Sequence, residues 1–251
     1  MRIYHTAEIA RLNHIHPNTV RLYEKLGLMT SPKRLANGYR IFTELHLEQV
    51  RLIRLALEVE VLQNGLRKQM LGVLKTVAAL DWLGAQQQCQ AYLQHLASER
   101  VNAEESLRLA GALWAALPSE PWEWLSRQQM ARQLEISVET LRNWERNGLL
   151  GEKHFRQGKR MYDAADGQRL KLVRTLRCAN YSLTAILRLL STPQKPSMGA
   201  LRQIIDTPAA REEIISVCDQ LLTSLDRAET NGRQVLAKIR QMAQQFANPP
   251  L

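Results

Sequence analysis

Two stretches of the chain carry apolar residues at a period of 3.5. In the first, Cys89, Leu93, Leu96, Arg100, Ala103, Leu107, Ala110, Trp114 and Leu117 alternate spacings of four and three. In the second, Ile214, Cys218, Leu221, Leu225, Ala228, Gly232, Val235, Ile239, Met242 and Phe246 do the same. A heptad repeat of this length predicts two coiled-coil arms, 86–117 and 214–246. Thr207-Pro208 marks the start of the second arm and Pro118 the end of the first. Arg100 and Gly232 weaken the seams near their middles, and antiparallel pairing of the arms would set these points near one another. An amphipathic helix lying on a globular core is the alternative.

Ahead of each arm the pattern is shorter and more polar. Ala7–Leu12 and Pro17–Leu26 predict two short helices around a turn through Asn13–His16, with Pro17 suited to a first helical position and Gly27 to a left-handed C-cap. Lys33–Phe42 then reads as two extended arms around Asn37-Gly38, a strong turn signal. A helix resumes at Leu45–Leu57. The whole series recurs about 121 residues later: Gln128–Leu134, a turn through Glu135–Ser137 with Ser137 as N-cap, Val138–Arg146, Gly148, a basic hairpin Lys153–Tyr162, then Gly167–Cys178 and Leu183–Leu190. Identities at that offset include Ala10/Ala131, Arg11/Arg132, Thr19/Thr140, Arg21/Arg142, Glu24/Glu145 and Gly27/Gly148. With one residue dropped in the following loop, Lys33/Lys153, Gly38/Gly158, Arg40/Arg160 and Arg54/Arg174 also match. The chain therefore reads as one unit written twice. Two short helices around a tight turn form a helix-turn-helix, whose second helix fits a DNA major groove.

Charge follows the repeat. The formal net charge is +10, distributed as +6 over 1–75, −3 over 76–121, +7 over 122–195 and zero over 196–251. A solubility charge would be spread evenly, whereas two basic blocks point to two surfaces facing a polyanion. The predicted architecture is mainly α: two winged helix-turn-helix modules, each with a small β-wing, joined and followed by long coiled-coil helices. Its domains are 1–75, a linker and arm over 76–121, a second module over 122–195, and a C-terminal arm over 196–251.

The residues Tyr4, Ala10, Thr19-Val20-Arg21-Leu22-Tyr23-Glu24, Gly27-Leu28, Pro32-x-Arg34 and Asn37-Gly38-Tyr39-Arg40 resemble the MerR family of transcription regulators. The second copy keeps Thr140-Leu141-Arg142-Asn143-Trp144-Glu145, Gly148-Leu149-Leu150 and Gly158-Lys159-Arg160-Met161-Tyr162, but lacks the proline before the wing. The resemblance implies that Arg21, Tyr23, Arg34, Tyr39 and Arg40 meet phosphates or base edges, with Asn18 and Thr19 entering the groove. In the second copy it implies Thr140, Arg142, Asn143, Trp144, Arg156, Lys159 and Arg160, the Trp144 indole donating to a phosphate. Guanidinium forks suit phosphate and guanine, and helix N-termini attract phosphate. Glu24 and Glu145 are expected to pair with arginines, since a free acid would repel phosphate. The partner implied is double-stranded promoter or operator DNA, with RNA polymerase engaged indirectly, by a pseudo-dimeric monomer or a homodimer.

Other chemistry is sparse. Cys89, Cys178 and Cys218 lack the paired spacing of a disulfide framework or zinc site. His14-x-His16 falls in the helix-turn-helix turn, where a solvated turn is the expectation. No nucleophile–base pair or phosphate-cradling glycine loop is present, so an enzyme is not expected, and no cofactor or metal is assigned. No basic-then-apolar leader follows Met1, and the most apolar run, Leu109–Leu117, is too short to span a bilayer. A cytoplasmic, nucleoid-associated protein is expected. A small-molecule pocket would lie between arm and head, with Trp82, Tyr92, Trp114, Trp122 and Trp124 as candidate walls. Competing functions are an architectural or excisionase-type DNA binder, and an interaction protein in which the second head no longer reads DNA.

Overall fold

The structure is a computed structural model, described here for residues 2–58, 65–115, 123–151, 154–192, 197–207 and 220–247. Its chain divides into two compact units, 1–98 with 225–251, and 99–224.

The first unit begins with α1 (Thr6–Leu12) and α2 (Pro17–Lys25). Between them His14 takes a left-handed φ of 52°, and the Ile15 N–H donates to the Ala10 carbonyl at 3.0 Å, closing the end of α1. The His16 ring caps α2 by accepting from the Asn18 N–H. Gly27, at φ 67°, ends α2 with its N–H on the Glu24 carbonyl at 3.0 Å, a conformation that favours glycine. The wing follows as β1 (Lys33–Arg34) and β2 (Arg40–Ile41), antiparallel with Arg34 opposite Arg40. A bridge from Tyr4 to Phe42 ties the chain start to the wing. Then come α3 (Glu44–Ala56), α4 (Leu66–Ala78) and the start of α5 (Trp82–Ala115). The core gathers Ile9, Val20, Leu28, Phe42, Val50, Leu52 and Ile53, all within 2% of full burial.

The second unit repeats this frame with α6 (Arg127–Gln133), α7 (Val138–Arg146), β4 (His154–Arg156), β5 (Lys159–Tyr162), α8 (Ala164–Cys178) and α9 (Leu183–Leu190). The equivalence reaches the backbone: Glu135 has φ 52°, the Ile136 N–H donates to the Ala131 carbonyl at 3.0 Å, and Gly148 has φ 75°. Arg54 reaches the Asn13 carbonyl at the first turn and Arg174 the Glu135 carboxylate at the second. The sequence pattern left α4, a strand of the second head and a helix before the last arm unread. Leu125–Ser126 forms a strand, β3, beside β5, where the first head has only the Tyr4–Phe42 bridge. The wings also turn differently. Gln157 and Gly158, both at positive φ, make a two-residue turn, whereas Ala36–Gly38 makes a three-residue turn with Gly38 N–H on the Leu35 carbonyl.

The heptad positions are buried as expected within α5 (Cys89, Leu96, Ala103, Leu107, Ala110) and within α11 (Leu221–Phe246), where Leu221, Leu225, Ala228, Val235, Ile239 and Met242 point inward. What covers the seams differs from the expectation of one arm along the other. In the first unit α5 meets α11 where Cys89 Sγ lies 3.6 Å from the Gly232 carbonyl. Gly232 is a place of close approach and not a gap in the seam: a Cβ there would lie 2.8 Å from Leu93 and 3.1 Å from Tyr92. α11 also packs on the first head, with Asn231 donating to the Leu55 carbonyl at 2.8 Å and Lys238 paired with Glu48. In the second unit, the later part of α5 is covered by the head itself: the Tyr181 hydroxyl donates to the Ala103 carbonyl at 3.2 Å. Small residues along this face let that ring come close. Residues 208–219, where the second arm is expected to begin, lie outside the described residues. A separate helix, α10 (Met198–Asp206), precedes α11, and the Asp206 carboxylate caps α11 by accepting from the Leu222 and Thr223 N–H groups at 2.9 and 3.0 Å. Leu117, Pro118, Ile214 and Cys218 lie outside the described residues.

Candidate nucleic-acid interface

The N-terminal turn of α2 presents Asn18 and Arg21 to solvent, with Arg21 Nη1 donating to Asn18 Oδ1 at 2.8 Å. That bond pre-sets the guanidinium along the helix face and leaves most of its donors free. Thr19 is half-buried beside them. Tyr23 is half-buried too, and burial pushes its phenol above the usual range, keeping it a neutral donor. At the wing, Tyr39 stands 67% exposed. Arg34 is exposed and lies 3.5 Å from Glu24, while Arg40 Nε lies 2.6 Å from the same carboxylate. Glu24 thus ties α2 to the β1–β2 hairpin, as the sequence implied, and sets two arginines side by side.

The second head uses the same places for different work. Ser137 caps α7 by accepting from the Thr140 N–H at 2.9 Å. Arg142 and Asn143 face solvent, but Glu139 sits between Arg142 (3.3 Å) and Arg146 (2.7 Å), so the exposed face of α7 is partly neutralised. Asn143 is joined by Asn147, whose amide donates to its carbonyl at 2.8 Å. Arg156 stacks over Trp124 at 4.3 Å, and Lys159 is exposed beside the turn.

Two residues expected at DNA are inside. Trp144 is only 5% exposed, because a bulky indole at this helical position packs inward with Leu141. Arg160 has a side chain 2% exposed, with Nε 3.2 Å from Glu145 and Nη2 3.2 Å from Asp166. Glu145 receives Arg127 (2.9 Å) and the Tyr162 hydroxyl (2.7 Å) as well. Burial and the Glu145 bond push the Tyr162 phenol far above its ordinary range. Burial likewise raises the Asp166 carboxyl despite the Arg160 charge beside it. A guanidinium held in this network cannot reach a phosphate without breaking it.

Some exposed cations escaped sequence reasoning. Arg11 and Arg132 face solvent at the ends of α1 and α6, and their identity across the repeat was a usable signal. Arg146 lies two helical turns from Glu139, a spacing that places both on one face. His16 serves as a helix cap, and among the described residues no three His, Cys, Asp or Glu side chains gather as a metal site. Among them, too, no helix is long and apolar enough to cross a membrane.

Comparison with known proteins bears on both heads. Residues 5–42 match the family described as MerR family regulatory protein, and residues 125–192 match MerR HTH family regulatory protein. The chain is similar to the HTH-type transcriptional regulator CueR of Escherichia coli O6:H1, 38% identical over 53 residues, 21% of this chain and 39% of that protein. It is similar to the HTH-type transcriptional regulator ZntR of Escherichia coli K12, 35% identical over 52 residues, 21% of this chain and 37% of that one. The chain thus spans about two-fifths of the length of these curated relatives. No solved structure is a significant match.

Proposed function

We propose, for a chain whose two heads both carry MerR-family sequence, that it is a transcription regulator reading double-stranded promoter DNA through two unlike heads and distorting that DNA to act on RNA polymerase indirectly. The observation that carries this reading is the repeated frame: two helix-turn-helix units, each with a basic wing, each presenting an arginine at the same exposed position of its second helix, Arg21 and Arg142. Asn18 and Arg21 in one head, and Glu139, Arg142 and Asn143 in the other, offer different donors and acceptors to base edges. The operator should therefore have two halves of fixed spacing and unlike sequence. Selection of binding sites from random duplexes tests this, and a perfect palindrome would overturn it. Arm contacts made within one chain, Cys89 and Tyr92 against Gly232, support a monomer that carries both heads. Light scattering on the DNA-bound protein should give one 28.7 kDa chain per operator, and two chains would require a homodimer.

A second reading is favoured by one observation, the internal placement of Arg160 and Trp144 together with Glu139 on the exposed face of α7. On that reading the second head docks a protein, and only the first reads DNA. Footprinting separates the two: two protected half-sites support paired DNA heads, and one supports the docking module. Protection at a recombination site in place of a promoter would point to an architectural role.

A further inference from the structure

The two heads also differ in the interior where α3 and α8 pack beneath the segment that follows the second helix. In the first, Gln49 on α3 is 1% exposed and bonded to Thr30, just after the end of α2. Its Oε1 accepts from the Thr30 N–H at 3.0 Å, its Nε2 donates to Thr30 Oγ1 at 2.9 Å, and Thr30 Oγ1 donates onward to the Ala78 carbonyl at 2.7 Å. In the second head Gly151 stands at the Thr30 position and Arg169 at the Gln49 position. A Cβ on Gly151 would meet nothing within 4 Å. There a cavity of about 360 Å³ opens between α8, the base of the wing and the later part of α5.

Its apolar walls are Leu113 and Trp114 from α5 with Leu172 and Leu190. Its polar groups are His154, Asp163, Asp166, Gln168 and Arg169. The carboxylates are engaged: Asp166 with Arg160 at 3.2 Å, and Asp163 with the Asp166 N–H at 2.8 Å and with the His154 ring at 3.4 Å. Arg169 donates Nε to the Leu149 carbonyl at 2.7 Å, and among the described residues no acceptor is recorded for its two Nη groups. Half-buried, this guanidinium has its charge opposed by desolvation, which lowers its pKa. A cavity of that size, with a flat indole wall and a forked donor lacking its acceptor, fits a small planar acid.

We propose that this cavity binds a small aromatic carboxylate, its ring against Trp114 and its carboxylate on the Nη groups of Arg169. The site lies at the base of the second wing and is independent of whether that head reads DNA. Calorimetric titration of the full chain with indole-3-acetate and 2-naphthoate, beside their carboxamides and tryptamine, tests it. Both acids should bind saturably at one site. The carboxamides and the amine should bind at least about tenfold more weakly, since a charge-assisted bidentate bond is lost. Arg169→Gln should weaken the acids by a similar factor. Gly151→Thr, which restores the side chain of the first head, should abolish binding while leaving far-UV circular dichroism unchanged. The proposal is overturned if carboxamides or tryptamine match the acids, if Gly151→Thr and Arg169→Gln chains bind like the parent, or if neither acid saturates by about 10 mM.

Discussion

In the first head Arg40 stands at the edge of the wing, its side chain 24% exposed and paired with Glu24 alone. In the second, the matching Arg160 is buried and shared between Glu145 and Asp166. Both arginines lie on the second strand of their hairpins, β2 and β5. One difference is the third residue of the next helix: His46 in α3, Asp166 in α8. His46 is buried and turns back to its own helix start, accepting from the Thr43 N–H at 3.0 Å, so it offers the wing no counter-charge. Asp166 does, and a buried carboxylate must find a cation. Tyr162 and Arg127 then complete a closed network that the first head lacks. Asp166, Tyr162 and Arg127 together hold in the core an arginine whose counterpart stays at the wing surface. Aligned residues need not do aligned work.

Removing the arginines should separate the two heads most. Arg160→Ala leaves Glu145 and Asp166 without their shared cation and should destabilise the second unit by about 3–5 kcal/mol. Arg40→Ala should cost about 1 kcal/mol, because its pair with Glu24 stays partly hydrated. Urea unfolding of both variants measures the contrast, and equal losses would refute the assignment of Arg160 to the core.

The heads should also differ in their contribution to DNA binding. Arg21→Ala should weaken operator affinity by about 1–3 kcal/mol if it reads a base edge. Loss of a phosphate contact at Arg34 should instead reduce the salt slope by about 0.9. Arg142→Ala should have a smaller effect than Arg21→Ala, because Glu139 already occupies its guanidinium. Fluorescence anisotropy across a salt series reads all three. A larger loss at Arg142 than at Arg21 would reverse the ranking of the heads.

Acid should act on the two helix starts in opposite directions. Burial holds the His46 imidazole below its ordinary 6.5, so the unfolded chain takes up its proton first. That residue's contribution is therefore complete above pH 6.5 and is lost as pH falls below it, by up to about 1.4 kcal/mol per unit. Asp166 has a raised pKa, so between 3.8 and that raised value the folded chain holds the extra proton and acid favours folding at this site. Amide exchange followed from pH 7 to 5.5, corrected for intrinsic rates, should show α3 loosening before α8.

The smallest expected effect comes from Glu139→Gln. Freeing Arg142 and Arg146 should tighten operator binding by a few-fold, about 0.5–1 kcal/mol, with a steeper salt dependence. Unchanged affinity and slope would argue that α7 does not lie against DNA.

The order of residues alone made legible the recurrence of one pattern, two pairs of short helices around a turn, both hairpins and the heptad positions that are buried. These follow from local rules: a glycine where φ must be positive, a cap before a helix, and an apolar period that matches the helix. It also determined that Glu24 and Glu145 pair with arginines, because a carboxylate on a basic face has few other fates. Only the tertiary structure decided which arginines stay outside, since that depends on residues brought together from separate elements: Arg127, Arg160, Tyr162 and Asp166 around Glu145. Only it decided what covers each arm, because a heptad specifies an apolar stripe and not its partner. And only it showed that a cavity opens where Gly151 and Arg169 stand in place of the hydrogen-bonded pair Thr30 and Gln49, for packing is a property of volumes meeting and not of the order of residues along a chain.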